Sequence, residues 1–399
     1  MKTYKMVIIG AGASGLAAAI AAGRRSGDIL LLERLPRVGK KILATGNGRC
    51  NLSNQNVLDH PYHNKRFVLP ALRMFGAQAC ESFFASLGAA IYADGEGRFY
   101  PNSNSASTVL DALRFGVARA GVETRCDCAV QSIEKQNGGY LINQNIRGER
   151  VVIATGGCAA PAHGSDGSGF ALLKSLGHKI ITPRPALAGL LSDCTALPAL
   201  AGQRVRCGAV LKTGGGTILA ASAGEVLFAK DGVSGIAAME LSRSAAMPCI
   251  LFLDCLPNIA HAQAIAFLCA SANACPELTA SVLLGGLLPK RLAETILRQC
   301  NQDLHAQAAA IVKKIPNFVD SAKSFRIPIT GTRGFKDAQS TAGGADVSMF
   351  DPLTMQSKLR QGLFACGEVL DVDGGCGGFS LHWAWASGVL AGARAISST

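Results

Sequence analysis

The feature that most constrains the fold is a glycine-rich turn between a strand and a helix near the start of the chain. Residues 10–15 read GAGASG, follow the apolar run 6–9 and open a stretch of small residues over 14–25. In such a turn the first glycine permits the tight bend, the second lets backbone approach a pyrophosphate, and the third allows close helix–strand packing. The pattern predicts a β–α–β unit with a dinucleotide phosphate at the helix N-terminus.

An acidic residue lies where such a site needs one. Glu33 comes eighteen residues after Gly15, at the end of the second apolar run, residues 29–32. A carboxylate at this position accepts hydrogen bonds from the adenosine ribose, and its charge disfavours a 2′-phosphate. Because turn, helix and acid agree, we predict a Rossmann-type dinucleotide site.

The order of predicted elements divides the chain into three parts. Residues 1–185 alternate apolar strands with helical stretches, including a helical region over 66–87, which is typical of an α/β domain with a parallel sheet. Residues 186–325 carry hairpin-like runs followed by helical stretches and predict an inserted β-plus-α domain. Residues 326–399 return to glycine-rich turns and end in one long small-residue helix over 378–396.

Composition bounds the class of protein. With 49% hydrophobic residues among 399, the chain can bury a large core, yet glycines interrupt its apolar runs, so we expect no membrane span. No export signal precedes the first strand, which predicts a cytoplasmic protein. The 14 cysteines are scattered without a Cys-x-x-Cys, so we expect reduced thiols and no metal site. The net charge of +12 favours anionic partners, including RNA, and the oligomeric state stays open.

Two long motifs carry a resemblance to a known family. Residues 39–54 read GKKILATGNGRCNLSN, and residues 362–392 read GLFACGEVLDVDGGCGGFSLHWAWASGVLAG. Both resemble signatures of the bacterial BaiN/RdsA-like family of NAD(P)/FAD-dependent oxidoreductases, and shorter similarities at 152–157, 224–228 and 341–344 extend the resemblance along the chain. The resemblance implies a Rossmann-type FAD-binding domain built from both chain ends and interrupted by a flattened β-barrel and a small helical domain.

The resemblance also implies which residues contact FAD. Elementary chemistry agrees, because glycine-rich loops expose backbone amides to phosphate, and the N-terminus of the helix that follows Gly378 favours negative charge on a reduced flavin. The predicted FAD contacts are Gly10, Gly12, Ala13, Ser14, Gly15, Glu33, Arg34, Lys40, Lys41, Thr45, Gly46, Gly48, Arg49, Cys50, Asn51, Thr155, Gly156, Gly157, Gly367, Glu368, Asp373, Gly377, Gly378 and Phe379.

Three side chains are candidates for chemistry near the flavin. His382, one helical turn after Gly378, could deliver a proton, or it could be a structural histidine bonded to backbone. Cys50 could act as a thiol or an acid, or could simply be a small residue in a tight loop. The guanidinium of Arg49 could hold flavin oxygens, phosphate or a substrate anion. Departures from the family pattern, notably Cys376 and His382, concern substrate contacts.

The sequence contains one dinucleotide fingerprint, so a separate nicotinamide domain is not expected. NAD(P)H would therefore reduce the flavin as a transient visitor. The first hypothesis is reduction of an activated C=C bond of a small molecule. The alternative is an RNA-modifying flavoenzyme that reduces uridine to dihydrouridine in ribosomal RNA, which would need clustered cations, expected on the inserted domain. A flavin-binding protein without turnover and an oxygen-dependent amine oxidase are further hypotheses.

Overall fold

The computed structural model describes residues 2–397, and these form two compact units. One unit contains the described residues up to Ala186 together with those from Ala338 onward, and the other is Leu187–Asp337. We refer to them as the cofactor unit and the inserted unit. In this part of the chain, no helix is long and apolar enough to cross a membrane.

The elements follow in chain order. The strands are β1 Thr3–Ile9, β2 Ile29–Leu32, β3 Ser53–Asn54, β4 Ile91–Ala93, β5 Arg98–Pro101, β6 Glu123–Arg125, β7 Ile133–Gln136, β8 Gly139–Ile142, β9 Ile146–Ile153, β10 Ile180–Ala186, β11 Leu190–Leu191, β12 Arg204–Thr213, β13 Ile218–Ala229, β14 Gly232–Ser234, β15 Cys249–Asp254, β16 Phe325–Ile329, β17 Gly331–Thr332, β18 Ser340–Ala345 and β19 Leu363–Ala365. The helices are α1 Ala13–Gly23, α2 Lys65–Met74, α3 Ala77–Ala85, α4 Ala106–Arg119, α5 Ser168–Ser175, α6 Leu197–Leu200, α7 Ile236–Ser242, α8 His261–Ala274, α9 Ala280–Gly285, α10 Lys290–Gln299, α11 Ala308–Ile311, α12 Ile315–Lys323 and α13 Phe379–Ser397.

Both ends of the chain build the main sheet of the cofactor unit. Its strand order is β6-β2-β1-β9-β8-β7, and β19 pairs with the second half of β9. The pairs β1–β2, β1–β9 and β9–β19 are parallel, as the apolar runs predict for strands buried on both faces. The expected two-ended Rossmann fold is therefore confirmed.

Small residues allow α1 to pack closely on the glycine turn and α13 to pack closely on α1. A side chain at Gly15 would clash with the carbonyl of Gly10, so strand and helix can meet only because Gly15 has none. In the same way, side chains at Gly388 and Gly392 of α13 would clash with the carbonyls of Ser14 and Ala18 in α1. The C-terminal helix is thereby seated directly on the first helix.

The inserted unit is a seven-stranded antiparallel sheet packed with helices around its own core. The strand order is β16-β15-β12-β13-β14-β11-β17, and only Thr330 separates β16 from β17, so the chain passes from one edge of a curled sheet to the other across a single residue. Among residues 2–397 no ladder joins those two edge strands, and the expected flattened barrel is thus an open, curled sheet. Leu251, Ile296 and Phe318 lie in the apolar core that the helices cover.

Two predicted boundaries differ from the structure. The second boundary between the units follows Asp337, later than the predicted boundary at 325–326. The reason is that β16 pairs with β15, for example Ile327 with Leu251, and therefore belongs to the inserted unit. The helical region over 66–87 is two helices, since Phe75 and Gly76 leave the helical conformation between α2 and α3.

Candidate functional site

The glycine turn before α1 leaves space where a phosphate is expected. A Cβ at Gly12 would meet no protein atom within 4 Å, in contrast to the crowded Gly10 and Gly15. The first intrahelical bond is Leu16 N–H to Gly12 O at 3.0 Å, so the amides of residues 13–15 have no carbonyl partner within the helix. Open space beside unpaired amides at a helix N-terminus fits a pyrophosphate.

Glu33 is fixed at the carboxyl end of β2, beside that turn. Its Oε2 accepts the Ala11 N–H and its Oε1 accepts the Leu35 N–H, both at 2.9 Å, and only 8% of the residue is exposed. A carboxylate has about four acceptor positions, so two remain for ribose hydroxyls. The geometry is compatible with the predicted role.

The loop of residues 39–51 is tied to the turn and contains several left-handed residues. The Gly39 N–H donates to Ala11 O at 2.9 Å, while Gly46 and Asn47 have φ near +56° and +54°. Cys50 is completely buried in this loop, and burial raises the pKa of its thiol to about 12. Since the thiolate is the reactive form, the prediction of a catalytic Cys50 finds no support in the structure.

Glu368 joins three of the family-like motifs. Its Oε1 accepts the Thr341 N–H at 2.7 Å, and its Oε2 accepts the Gly157 N–H at 3.3 Å and pairs with Lys41 Nζ at 3.1 Å. Nearby, the buried Oγ1 of Thr155 has no hydrogen-bond partner among residues 2–397. An unsatisfied buried hydroxyl in this part of the chain is consistent with a polar ligand.

Three predicted cationic contacts are engaged by protein groups. Arg34 pairs with Asp166, and Lys40 Nζ donates to the carbonyl of Ala162 at 3.0 Å, so both hold the segment that follows β9. The Arg49 guanidinium lies 4.8 Å from the centre of the Tyr100 ring, a cation–π contact.

The turn before α13 supplies a second helix N-terminus. The His382 N–H donates to Gly378 O at 3.0 Å, so the amides of residues 379–381 have no carbonyl partner within the helix. Asn54 Nδ2 donates to Gly377 O at 3.0 Å, and the Asn51 amide can accept the Gly378 N–H at 3.2 Å. This helix start fits an electron-rich carbonyl edge such as the flavin pyrimidine.

The structure does not support His382 as a proton donor. It is completely buried, with Nδ1 2.8 Å from Ser53 Oγ and Nε2 2.8 Å from Phe75 O. Nε2 therefore donates to the carbonyl, and Nδ1 accepts from the serine hydroxyl. Burial lowers the pKa of His382 to about 4, so the ring is neutral near pH 7 and has a structural role.

Residues 60–64, which sequence reasoning missed, pack on the turn before α13. The His60 ring stacks on Phe379 with centroids 3.5 Å apart, and its Nε2 accepts the Gly375 N–H at 2.9 Å. The Tyr62 hydroxyl donates to Phe379 O at 3.1 Å. Two histidines around a tyrosine, in the sequence HPYHN, were the available signal.

A second set of contacts from this segment involves Asp371. His63 Nε2 lies 3.3 Å from Asp371 Oδ2, and Asn64 Nδ2 donates to Asp371 O at 2.7 Å. Asp371 in turn accepts the Gly343 N–H of β18 at 3.0 Å. Asp373, a predicted FAD contact, accepts the His63 N–H through its backbone carbonyl at 3.1 Å.

Comparison with known proteins agrees with this arrangement. The chain matches the HI0933-like protein Rossmann domain over residues 4–394. It is 36% identical to the 3-dehydro-bile acid Δ(4,6)-reductase of Clostridium scindens, covering 97% of this chain and 98% of that protein. It is 29% identical to the ribosomal RNA dihydrouridine synthase of Escherichia coli, covering 97% and 96%.

A solved structure shares the fold. The 3-ketosteroid-Δ4-(5α)-dehydrogenase of Rhodococcus jostii RHA1, in complex with 4-androstene-3,17-dione, superposes with a TM-score of 0.51 at 17% identity, over 99% of this chain and 97% of that one. The match along nearly the whole chain and the geometry of the turns lead to one conclusion. The chain belongs to the HI0933-like Rossmann family of flavin-dependent oxidoreductases.

Proposed function

We propose that this protein binds FAD and uses NAD(P)H to reduce a C=C bond conjugated to a carbonyl group in a small molecule. The observation that carries the proposal is the joint cradle of α1 and α13. Both helices begin beside glycine turns, and α13 packs on α1 through Gly388 and Gly392. One cofactor with a pyrophosphate and an electron-rich ring edge matches two such helix starts.

Different residues would hold different parts of FAD. The amides around Gly12 would bind the pyrophosphate, Glu33 the adenosine ribose, and the start of α13 the pyrimidine edge. Bound FAD supplies hydride transfer between the reductant and the substrate. The protein supplies orientation, fixed dipoles and a proton.

A transient reductant fits the inserted unit. Its ladders are all antiparallel among the described residues, so Leu187–Asp337 shows no parallel β–α–β unit for a second dinucleotide. NAD(P)H would then reduce the flavin and leave before the substrate enters. This order predicts ping-pong kinetics.

Charge distribution favours a small substrate over RNA. The inserted unit has 14 Lys and Arg against 10 Asp and Glu, a net charge of +4, and the remaining 25 cations and 17 anions give +8. The excess cations are therefore not concentrated on the inserted unit, where the RNA hypothesis expected them. The similarity to a named reductase of a ketonic small molecule points the same way.

Dihydrouridine synthesis is the second candidate, favoured by the 29% identity to the Escherichia coli RNA enzyme. The uracil 5,6 bond is itself conjugated to a carbonyl, so both candidates use the same chemistry. They differ in partner, and RNA binding would weaken steeply with salt.

The test is anaerobic reduction of the FAD-loaded protein by NADH or NADPH, followed by reoxidation with a 3-keto-4-ene steroid, with cyclohexenone, or with ribosomal RNA that lacks dihydrouridine. We expect rapid reoxidation by a ketonic alkene with a saturated product. Reoxidation by RNA alone, with dihydrouridine formed, would replace the first candidate by the second. A reduced protein that none of these acceptors reoxidises, and that is reoxidised only when air is admitted, would contradict both candidates.

A further inference from the structure

Asp371 is a carboxylate held from three directions in the cofactor unit. Its Oδ1 accepts the Gly343 N–H at 3.0 Å, and its Oδ2 lies 3.3 Å from Asn64 Nδ2. Its own N–H donates to Ala345 O at 2.9 Å, and the side chain is 9% exposed. The position of the carboxylate is therefore fixed relative to β18.

His63 meets this carboxylate from the accessible side. Its Nε2 lies 3.3 Å from Asp371 Oδ2, its side chain is 51% exposed, and its N–H donates to Asp373 O at 3.1 Å. A carboxylate only accepts, so Nε2 carries the proton and Nδ1 becomes the atom that gains and releases one. A histidine ring that is held at Nε2 by a carboxylate and is half-exposed overall suits proton transfer.

The location links this pair to the proposed flavin site. Asp371 begins the turn that leads into α13, and Gly343 lies in β18, so the pair bridges two of the family-like motifs.

The other candidates are less suited to the task. His60 Nε2 accepts the Gly375 N–H at 2.9 Å, so protonation there would break that bond. His382 and Cys50 are completely buried. Among these four groups, only His63 combines a carboxylate partner with a half-exposed ring.

We propose that His63 is the proton donor of the reaction and that Asp371 is its positioning residue, an assignment that rests on the proposed function. One π bond of the substrate is lost and two C–H bonds form. The hydride, from the NAD(P)H-reduced cofactor, enters the alkene carbon remote from the carbonyl. The proton leaves His63 Nδ1 for the adjacent carbon, the N–H electron pair stays on the ring, and His63 regains a proton from solvent.

The kinetic test separates the two half-reactions of a His63→Gln variant. Reoxidation by the ketonic alkene should slow by ~10²- to 10⁴-fold, the usual contribution of a general acid, whereas reduction by NAD(P)H should keep its rate. Added imidazole should restore part of the reoxidation rate in His63→Ala. Equal slowing of both half-reactions, or loss in His60→Gln instead of His63→Gln, would overturn the assignment.

The chain offers a matched control in its inserted unit. His261 Nε2 lies 2.7 Å from Asp320 Oδ1, and its side chain is 49% exposed, so it is a histidine–carboxylate pair whose ring is about as exposed as that of His63. His261→Gln should leave reoxidation unchanged. A comparable loss in this variant would show that removal of any such pair slows the enzyme.

A second readout needs neither flavin nor substrate. In the apoprotein, ¹⁵N-edited NMR should show the His63 ring with its proton on Nε2 when neutral, and Asp371→Asn should disturb this tautomer while Asp371→Glu restores it. A neutral ring protonated on Nδ1 would overturn the pairing. If the wild-type holoenzyme reduced no ketonic alkene, the proposed function and the donor role would fall together, whereas a failed NMR test would remove only the assignment to His63.

Discussion

Gly12→Asp should abolish FAD binding without harming the fold. A Cβ at Gly12 meets no protein atom within 4 Å, and the backbone has φ −81° and ψ −163°, which any residue adopts. Asp is a better helix N-cap than glycine by a few tenths of a kcal/mol, so the free energy of unfolding should stay within ~0.5 kcal/mol of wild type.

The loss of affinity follows from charge and space. A carboxylate ~4 Å from a phosphate charge costs roughly 4 kcal/mol at an effective dielectric constant of 20, which is ~10³-fold in Kd. Gly12→Asn adds the same bulk without the charge and separates the two contributions. A bulky side chain there also displaces at least one charge-assisted hydrogen bond, which contributes ~1.5–3 kcal/mol.

The assay combines FAD fluorescence titration with thermal and urea unfolding of the apoprotein. Gly15→Ala is the matched structural control, because its Cβ would clash with the Gly10 carbonyl and overpacking costs typically ~1–3 kcal/mol. Wild-type Kd in Gly12→Asp would refute the placement of the pyrophosphate. An apoprotein destabilised as strongly as Gly15→Ala would refute the claim that the space is open.

Three further predictions follow from the buried and charged groups. Because the folded pKa of His382 is about 4, below its usual 6.5, the unfolded chain binds a proton that the folded chain refuses. The contribution of His382 to the free energy of unfolding should be fully present above pH 6.5 and should fall by up to ~3 kcal/mol between pH 6.5 and 4. His382→Gln should remove this contribution in acid-unfolding curves. Cys50→Ser should keep reoxidation by a ketonic alkene within ~3-fold of wild type, since the thiol stays protonated, and a ~100-fold loss in stopped-flow would restore its catalytic role. Glu33→Gln should weaken FAD binding by ~10-fold or more in fluorescence titration through lost charge-assisted hydrogen bonds to ribose, and unchanged affinity would show that Glu33 only orders the turn.

The sequence predicts the local structure well where backbone conformation determines it. The GAGASG turn and the glycines before α13 have conformations set by the small size of their residues, and residue types and spacing are enough to predict them. Side-chain partners were harder to foresee. The environment of His382 depends on Phe75 O and Ser53, which are more than 300 residues away in sequence. Spacing alone could not reveal that burial.

The role of residues 60–64 in packing on the turn before α13 could not be predicted for a related reason. The partners of His60 and His63 are Gly375 and Asp371, which come from the other end of the chain. The second unit boundary was placed too early because β16 follows the helices of the inserted unit yet returns to pair with β15. Long-range pairings of this kind have no local sequence signal.

The most direct test of the central claim is the absorbance spectrum of the purified chain after gel filtration, before and after reconstitution with FAD. The account predicts flavin absorbance that elutes with the protein at one FAD per chain and disappears on anaerobic addition of NADH or NADPH. A colourless protein that takes up no FAD, with its fold intact by circular dichroism, would contradict it.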